Sequence, residues 1–291
     1  MSLGSVSLRS FYLAGVLVSV MALFAIKAGA QETYFVTYSH QMEEPGNLEI
    51  GVKSVVGSPS GANAFIGNAL EFEYGVKAWW TSELYLDGQS TAHESTVFTG
   101  FRWENRFRPL LGEHWINPVL YVEFENINSA DKSLLEVVGH DSRADFLERN
   151  DRSEKEREAE LKLILSSNVR GWKFSENVIA EKNLANEPWE FGYALGASRP
   201  LALKAAAKPC VFCRENFSAG AEMYGGLGER YSFGLHDTSH YIAPVAEWRL
   251  PGGTTFKASP GFGLNNNSHG FLFRFGISYE LNQIASSLRG H

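Results

Sequence analysis

Cysteine and proline are scarce in this chain, at 2 and 10 of 291 residues. Neither a disulfide framework nor a proline-rich linker can therefore organise it. Beyond Ile26 there is no second long apolar run, which excludes a bundle of transmembrane helices, each needing about 20 such residues. Basic residues are outnumbered, 26 Lys and Arg against 33 Asp and Glu, for a formal net charge of -7. That balance disfavours polyanions, and nucleic acid is not expected as a partner. No cofactor or metal is expected either.

What is present begins with the N-terminus. Arg9 precedes an apolar stretch from Phe11 to Ile26 that ends at Ala28-Gly29-Ala30. A basic start, an apolar core of this length and small residues at the end read as an export signal cleaved after Ala30. The competing reading is an uncleaved membrane helix, but the run is short and Lys27 interrupts it. Neither cysteine lies near the cleavage position, which argues against a lipoprotein anchor.

The rest of the chain is rich in Gly (28), Phe (20), Tyr (11) and Trp (7), and it alternates. Leu70, Phe72, Tyr74 and Val76 interleave with Glu71, Glu73 and Lys77, while Phe271, Phe273, Phe275, Ile277 and Tyr279 interleave with Arg274, Ser278 and Glu280. Period-two alternation is the signature of strands whose two faces meet different surroundings. A soluble sandwich also alternates, so the segment count and the loops must decide. Twelve strands can be placed, near Gly46–Val56, Ala69–Lys77, Trp79–Asp87, Thr96–Arg106, Ile116–Asn126, Glu158–Ser166, Trp172–Leu184, Trp189–Ser198, Phe217–Leu227, His240–Leu250, Thr254–Leu264 and Phe271–Leu281. Short turns alternate with longer loops, as in bacterial membrane barrels. The expected fold is thus all-β: an antiparallel transmembrane β-barrel of about 12 strands after a cleaved signal peptide, with 14 as the alternative. Residues 1–30 are the signal, 31–45 an N-terminal periplasmic segment or extra strand, 46–281 the barrel and 282–291 a tail. Tyr34, Val36 and Tyr38 alternate as a thirteenth strand would.

The tryptophans are expected to form aromatic girdles: Trp79, Trp80, Trp103, Trp115, Trp172 and Trp248 at the periplasmic side and Trp189 at the outer side. Glu43 to Ile50, Glu71 to Trp80 and Tyr224-Gly225-Gly226-Leu227-Gly228 resemble segments of uncharacterised Gram-negative outer-membrane barrels. These are often labelled transporters and are loosely similar to the group associated with a meta-pathway for phenol degradation. The resemblance implies an outer-membrane location, with outer-membrane lipid, lipopolysaccharide and the barrel-assembly machinery as partners. It implies no catalytic residue. The chain departs from the usual ending, because Asn282 to His291 follow the last strand instead of a terminal aromatic residue.

Strand phase sends fourteen acids and eight bases inward, an excess of six negative charges. The candidate lumen-lining residues among them are Glu71, Glu73, Arg102, Arg106, Glu123, Glu125, Glu158, Glu160 and Arg274. The phase of Trp172–Leu184 is ambiguous because of Glu176. A water-filled lumen of this sign would prefer cations, and the expected function is a narrow, weakly cation-preferring pore or transporter for small solutes. The alternatives are a structural or adhesive surface barrel and an outer-membrane lipid hydrolase. The hydrolase would need a His–Ser pair, for which His236-Asp237-Thr238, with Ser239-His240 after it, and His140-Asp141-Ser142 are incomplete matches. Cys210 and Cys213 lie in the long connection Arg199–Cys213. A disulfide is the expected state of exported thiols, with metal binding and free thiols as alternatives. The mixed-charge stretch Ser129–Arg157 reads as a solvated outer loop, or as a lid folded into the lumen.

Overall fold

The computed structural model describes residues 32–58, 63–128, 138, 155–185, 187–204, 206 and 210–284. The export signal, the body of the loop after Asn128 (His140 to Ser142 included) and the tail beyond Ile284 lie outside them.

Strands β1 (Leu48–Gly57), β2 (Phe65–Lys77), β3 (Trp80–Thr91), β4 (Ser95–Phe107), β5 (Asn117–Asn128), β6 (Lys155–Val169), β7 (Trp172–Asn183), β8 (Trp189–Pro200) and β9 (Phe217–Glu229) follow one another as antiparallel neighbours. A two-residue strand, β10 (Ser232–Phe233), folds back on the end of β9. Strands β11 (His240–Arg249), β12 (Thr254–Gly263) and β13 (Phe271–Leu281) complete the circuit, and β13 pairs with β1. The result is a closed 12-strand barrel, β10 standing apart as a rim hairpin. Closure leaves no unpaired edge, the condition for spanning lipid with strands.

Polarity is inverted relative to a soluble protein. Leu70, Leu84, Leu120, Val122, Leu161, Leu163, Val178, Ile242, Phe273 and Ile277 are exposed, while Glu71, Glu83, Arg102, Glu104, Arg106, Glu123 and Glu222 are buried. Only a solvent of hydrocarbon makes this the favourable arrangement. Several strands run further than alternation shows, β2 from Phe65 and β3 to Thr91. Past the apolar band the outward face becomes polar, as in the Ser90–Thr96 hydroxyl pair at 2.8 Å, and the period-two signal fades.

Both chain ends of the barrel lie at one end, here the terminal end. Two of its connections are two-residue turns, Ala78-Trp79 between β2 and β3 and Arg170-Gly171 between β6 and β7, the latter with φ of 52° and 84°. Positive φ at both central residues is the twist-matched hairpin turn, which glycine accommodates without steric cost. Barrels of this type turn their short connections toward the periplasm.

Residues 33–45 are neither an extra strand nor a segment paired outside the barrel. They run through the lumen at the terminal end. With every strand edge already paired there is no free ladder to join, so their backbone bonds to inward-facing side chains instead.

Candidate functional site: the lumen and its plug

Each inward face is polar for a local reason: on a two-residue period, one side of every strand is given to lipid and the other takes the charges. Register then stacks those charges. Direct antiparallel partners are Glu280 with Glu49, Glu49 with Glu73, Glu73 with Glu83, Glu83 with Glu104, Glu104 with Glu123, Glu123 with Glu160, Glu160 with Glu181, Glu181 with Glu190, and Glu190 with Glu229. Ten glutamates on ten consecutive strands thus form one unbroken cross-strand run. Barrel strands tilt, so a line drawn across them winds along the axis. The run starts beside the last residue of β13 and ends on the last residue of β9, at the opposite mouth.

Like charges directly opposite repel, and bases two or four residues away along the same strands offset them. Lys53 lies 3.0 Å from Glu71 and 3.9 Å from Glu83. Arg106 meets Glu73, Glu83 and Glu104. Arg102 forks onto Asp87 at 3.0 and 3.2 Å and reaches Glu123 at 3.1 Å. Lys162 lies 2.7 Å from Glu160 and 4.2 Å from the Tyr121 ring centroid. Charge-assisted bonds in a low-dielectric interior are strong, so these bases fix the wall.

The plug sits against this wall. Glu222 accepts the backbone N–H groups of Phe35, Val36 and Thr37 at 3.3, 2.9 and 2.9 Å. Asn177 takes the N–H of Tyr38 at 2.7 Å and donates to its carbonyl at 2.8 Å, replacing a strand partner with one side-chain amide. The Tyr38 hydroxyl donates to Glu104 at 2.9 Å, and its ring meets Tyr121 edge-on at 5.2 Å. Met42 packs among Val119, Tyr121 and Ile164. Between the plug and the β1–β4 wall is a cavity of about 20 Å³, lined among others by Tyr38, Lys53, Glu71 and Arg106. That is room for about one water.

At the terminal mouth the Ser166 hydroxyl, the His40 ring and Glu113 form a chain. His40 Nε2 is 2.8 Å from Glu113 and, since a carboxylate only accepts, donates to it, while Nδ1 meets the Ser166 hydroxyl. The order imitates a nucleophile, base and orienting acid. However, Ser166 Oγ also accepts the His40 backbone N–H at 2.9 Å and is buried, so the three act as a latch on the plug. Partial burial works against ionisation of Glu113, but hydrogen bonds from His40 and Asn168 and the Arg108 charge outweigh it and hold its pKa below the usual value. Glu43, buried where the plug enters the barrel, is pushed up to about 9, first by desolvation and then by the carboxylates of Glu73, Glu280 and Glu49.

No family model matches this chain, and no curated protein matches it. Among solved structures, an outer membrane channel from Pseudomonas putida F1 is similar, with a TM-score of 0.52 and 11% identity over 81% of this chain and 96% of that one. The fold is that of a bacterial outer-membrane barrel. A KdgM porin in complex with disordered oligogalacturonate and the NanC porin resemble it more loosely, both at a TM-score of 0.46, with 7% and 11% identity over 80% of this chain and 98% and 100% of theirs.

The remaining sequence candidates are placed as follows. Glu71, Arg102, Arg106, Glu123, Glu125, Glu158, Glu160 and Arg274 are buried on the inner face, and Glu73 is half-buried there. Arg274 bonds the Tyr224 hydroxyl, and Glu158 accepts from Asn183 at 2.9 Å. Trp79, Trp80 and Phe107 stack at the terminal end, as do Trp172 with Phe174 and Trp248 with Phe217. Trp103 is bonded to Ser82, Trp115 is exposed in the β4–β5 connection, and Trp189 opens β8 at the opposite rim. Cys210 and Cys213 are linked, with Phe212 stacked on Trp248. His236 and Asp237 form an exposed pair, His240 bonds Thr238 and Tyr193, and the Ser239 hydroxyl donates to the Asn267 carbonyl.

Sequence reasoning missed Asn177, Glu181 and Glu229 on the wall, His40, Glu113 and Ser166 at the latch, and Glu43 at the plug's entry. For Glu181 a signal existed: Glu160 is nine residues before Val169 and Glu181 nine after Trp172, so a tight turn at Arg170-Gly171 dictates their pairing.

Proposed function

We propose that the protein is a narrow channel of the outer membrane for small solutes, closed at its periplasmic end by residues 33–45 and weakly selective for cations. The observation that carries this reading is the cross-strand run of ten glutamates, which leads from one mouth to the other past the plug. Carboxylates along a wet path attract cations and repel anions. The plug is held by side chains, so it can leave without breaking a barrel ladder. The chain reaches this setting through an export signal cleaved near Ala30 and the assembly machinery, with lipopolysaccharide around the outer rim.

The test is conductance in planar bilayers under a salt gradient, for the mature chain and for a variant lacking residues 32–42. The truncated barrel is expected to conduct more, with a reversal potential of cation sign that moves toward zero when Glu71, Glu73, Glu123 and Glu125 become Gln. A truncated barrel that still migrates as folded before boiling but passes no ions, or that prefers anions, defeats the proposal.

A further inference from the structure

At one place on the inner wall the compensation of charge is incomplete. Carboxylate oxygens of Glu123, Glu125 and Glu160 all lie within 4.8 Å of one another. Arg102 is divided between Asp87 and Glu123, Lys162 serves Glu160, and the Tyr121 hydroxyl donates to Glu123. Glu125 is only 9% exposed; Arg102 faces it across the β4–β5 ladder, but the guanidinium gives its hydrogen bonds to Asp87 and Glu123, and among the described residues no hydrogen bond is made to Glu125. An ionised carboxylate in that position is costly unless something neutralises it. Among the described residues, four acids, Asp87, Glu123, Glu125 and Glu160, face two bases, Arg102 and Lys162. The excess is two negative charges, matching one divalent cation.

Size and donor type agree. Oxygens on opposite sides of a calcium ion at about 2.3–2.6 Å are about 4.6–5.2 Å apart, so three oxygens no more than 4.8 Å apart can surround one ion with little movement. The donors are all oxygen, which favours hard cations over zinc or copper. We propose that Glu123, Glu125 and Glu160 form a divalent-cation site of the calcium class in the lumen. Glu71, Glu73 and Glu83 also converge within 4.8 Å, but each is met by Lys53 or Arg106, so the site is assigned to the first cluster alone. It does not depend on the channel reading, since a closed barrel can also bind an ion.

The experiment uses the mature barrel in detergent, stripped with a chelator and titrated with terbium, whose luminescence is sensitised by the adjacent Tyr121. Calcium calorimetry gives a second readout. One terbium per chain is expected, displaced by calcium, with affinity at least tenfold weaker in Glu125→Gln and in Glu160→Gln and unchanged in Glu247→Gln, a carboxylate buried on β11 in the far wall. A gel shift before and after boiling verifies that each variant is folded. Absence of calcium-displaceable terbium and of calorimetric calcium binding in the folded parent overturns the proposal. So does an affinity left intact in both Glu125→Gln and Glu160→Gln.

Discussion

Glu222→Gln should release the plug while leaving the barrel closed. The carboxylate is fully buried and holds three successive backbone N–H groups, Phe35 on one oxygen and Val36 and Thr37 on the other. Glutamine has the same shape but a single acceptor oxygen, so its amide NH₂ must face at least one of those N–H groups. One charge-assisted bond of about 1.5–3 kcal/mol disappears, and the others fall to the neutral range of about 0.5–1.5 kcal/mol each. Relief of the buried charge returns part of this, leaving a net weakening of about 2–4 kcal/mol. At about 1.4 kcal/mol per decade, the released fraction rises by about 30-fold to 700-fold. A cysteine at Thr37, a buried side chain whose hydroxyl bonds to nothing among the described residues, reports that fraction. Its labelling by a membrane-impermeant maleimide in proteoliposomes should accelerate correspondingly in Glu222→Gln. A rate within twofold of the parent, in a barrel that keeps its heat-dependent gel shift, would refute the assignment of Glu222 as the plug's main anchor.

Glu43 gives the plug a pH dependence: its pKa near 9 when docked exceeds the free value, so docking binds a proton and is favoured at low pH. Its contribution is full below about pH 4.5 and is lost as pH rises through 9, so conductance should increase over that window and Glu43→Gln should flatten the profile. Replacing Cys210 and Cys213 with Ser should leave assembly and the gel shift intact, because a link of sequence separation 3 restricts little chain entropy; a barrel that fails to assemble would contradict this. Glu176 faces lipid beside Phe174 and Val178 on β7, and Glu176→Leu should raise the urea midpoint of the barrel in vesicles by about 1 kcal/mol in stability, while an unchanged or lower midpoint would show that the carboxylate has a compensating contact.

Glu176 also shows where the sequence stopped being legible. In β7 the outward set is Trp172, Phe174, Glu176, Val178 and the inward set Ser175, Asn177, Ile179, Glu181. One polar residue out and one apolar residue in are enough to blur the period over so short a strand. Where the outward set is uniformly apolar, as in Phe271 to Ile277, phase was plain and the inward placement of Arg274 followed from it. The plug was illegible for another reason. Tyr34, Val36 and Tyr38 alternate in the sequence, yet the chain bends at Phe35–Val36 and turns three successive N–H groups onto Glu222, so alternation over so short a stretch does not report a ladder partner. Only closure of β13 on β1 decides that no strand edge remains for it.

The glutamate run required a third kind of information, since strand phase says which residues face inward but nothing about which face each other. Register does, and it comes from turn geometry: one residue of slip would have moved each glutamate out of the lumen. The run also bears on why the interior is charged at all. Threonine, serine or glutamine would keep a lumen polar without the cost of like charges directly opposite, and Lys53, Arg102, Arg106 and Lys162 relieve that cost only where they reach. Where those four bases do not reach, the fold bears an electrostatic penalty. Its physical effect is confined to the space the run encloses, where it sets the sign of the potential felt by anything that enters. Glu229→Gln, at the end of the run beyond the reach of those four bases, should accordingly leave the empty barrel at least as stable while reducing its attraction for cations, and a variant in which both quantities fell together would show that the carboxylate holds the wall instead.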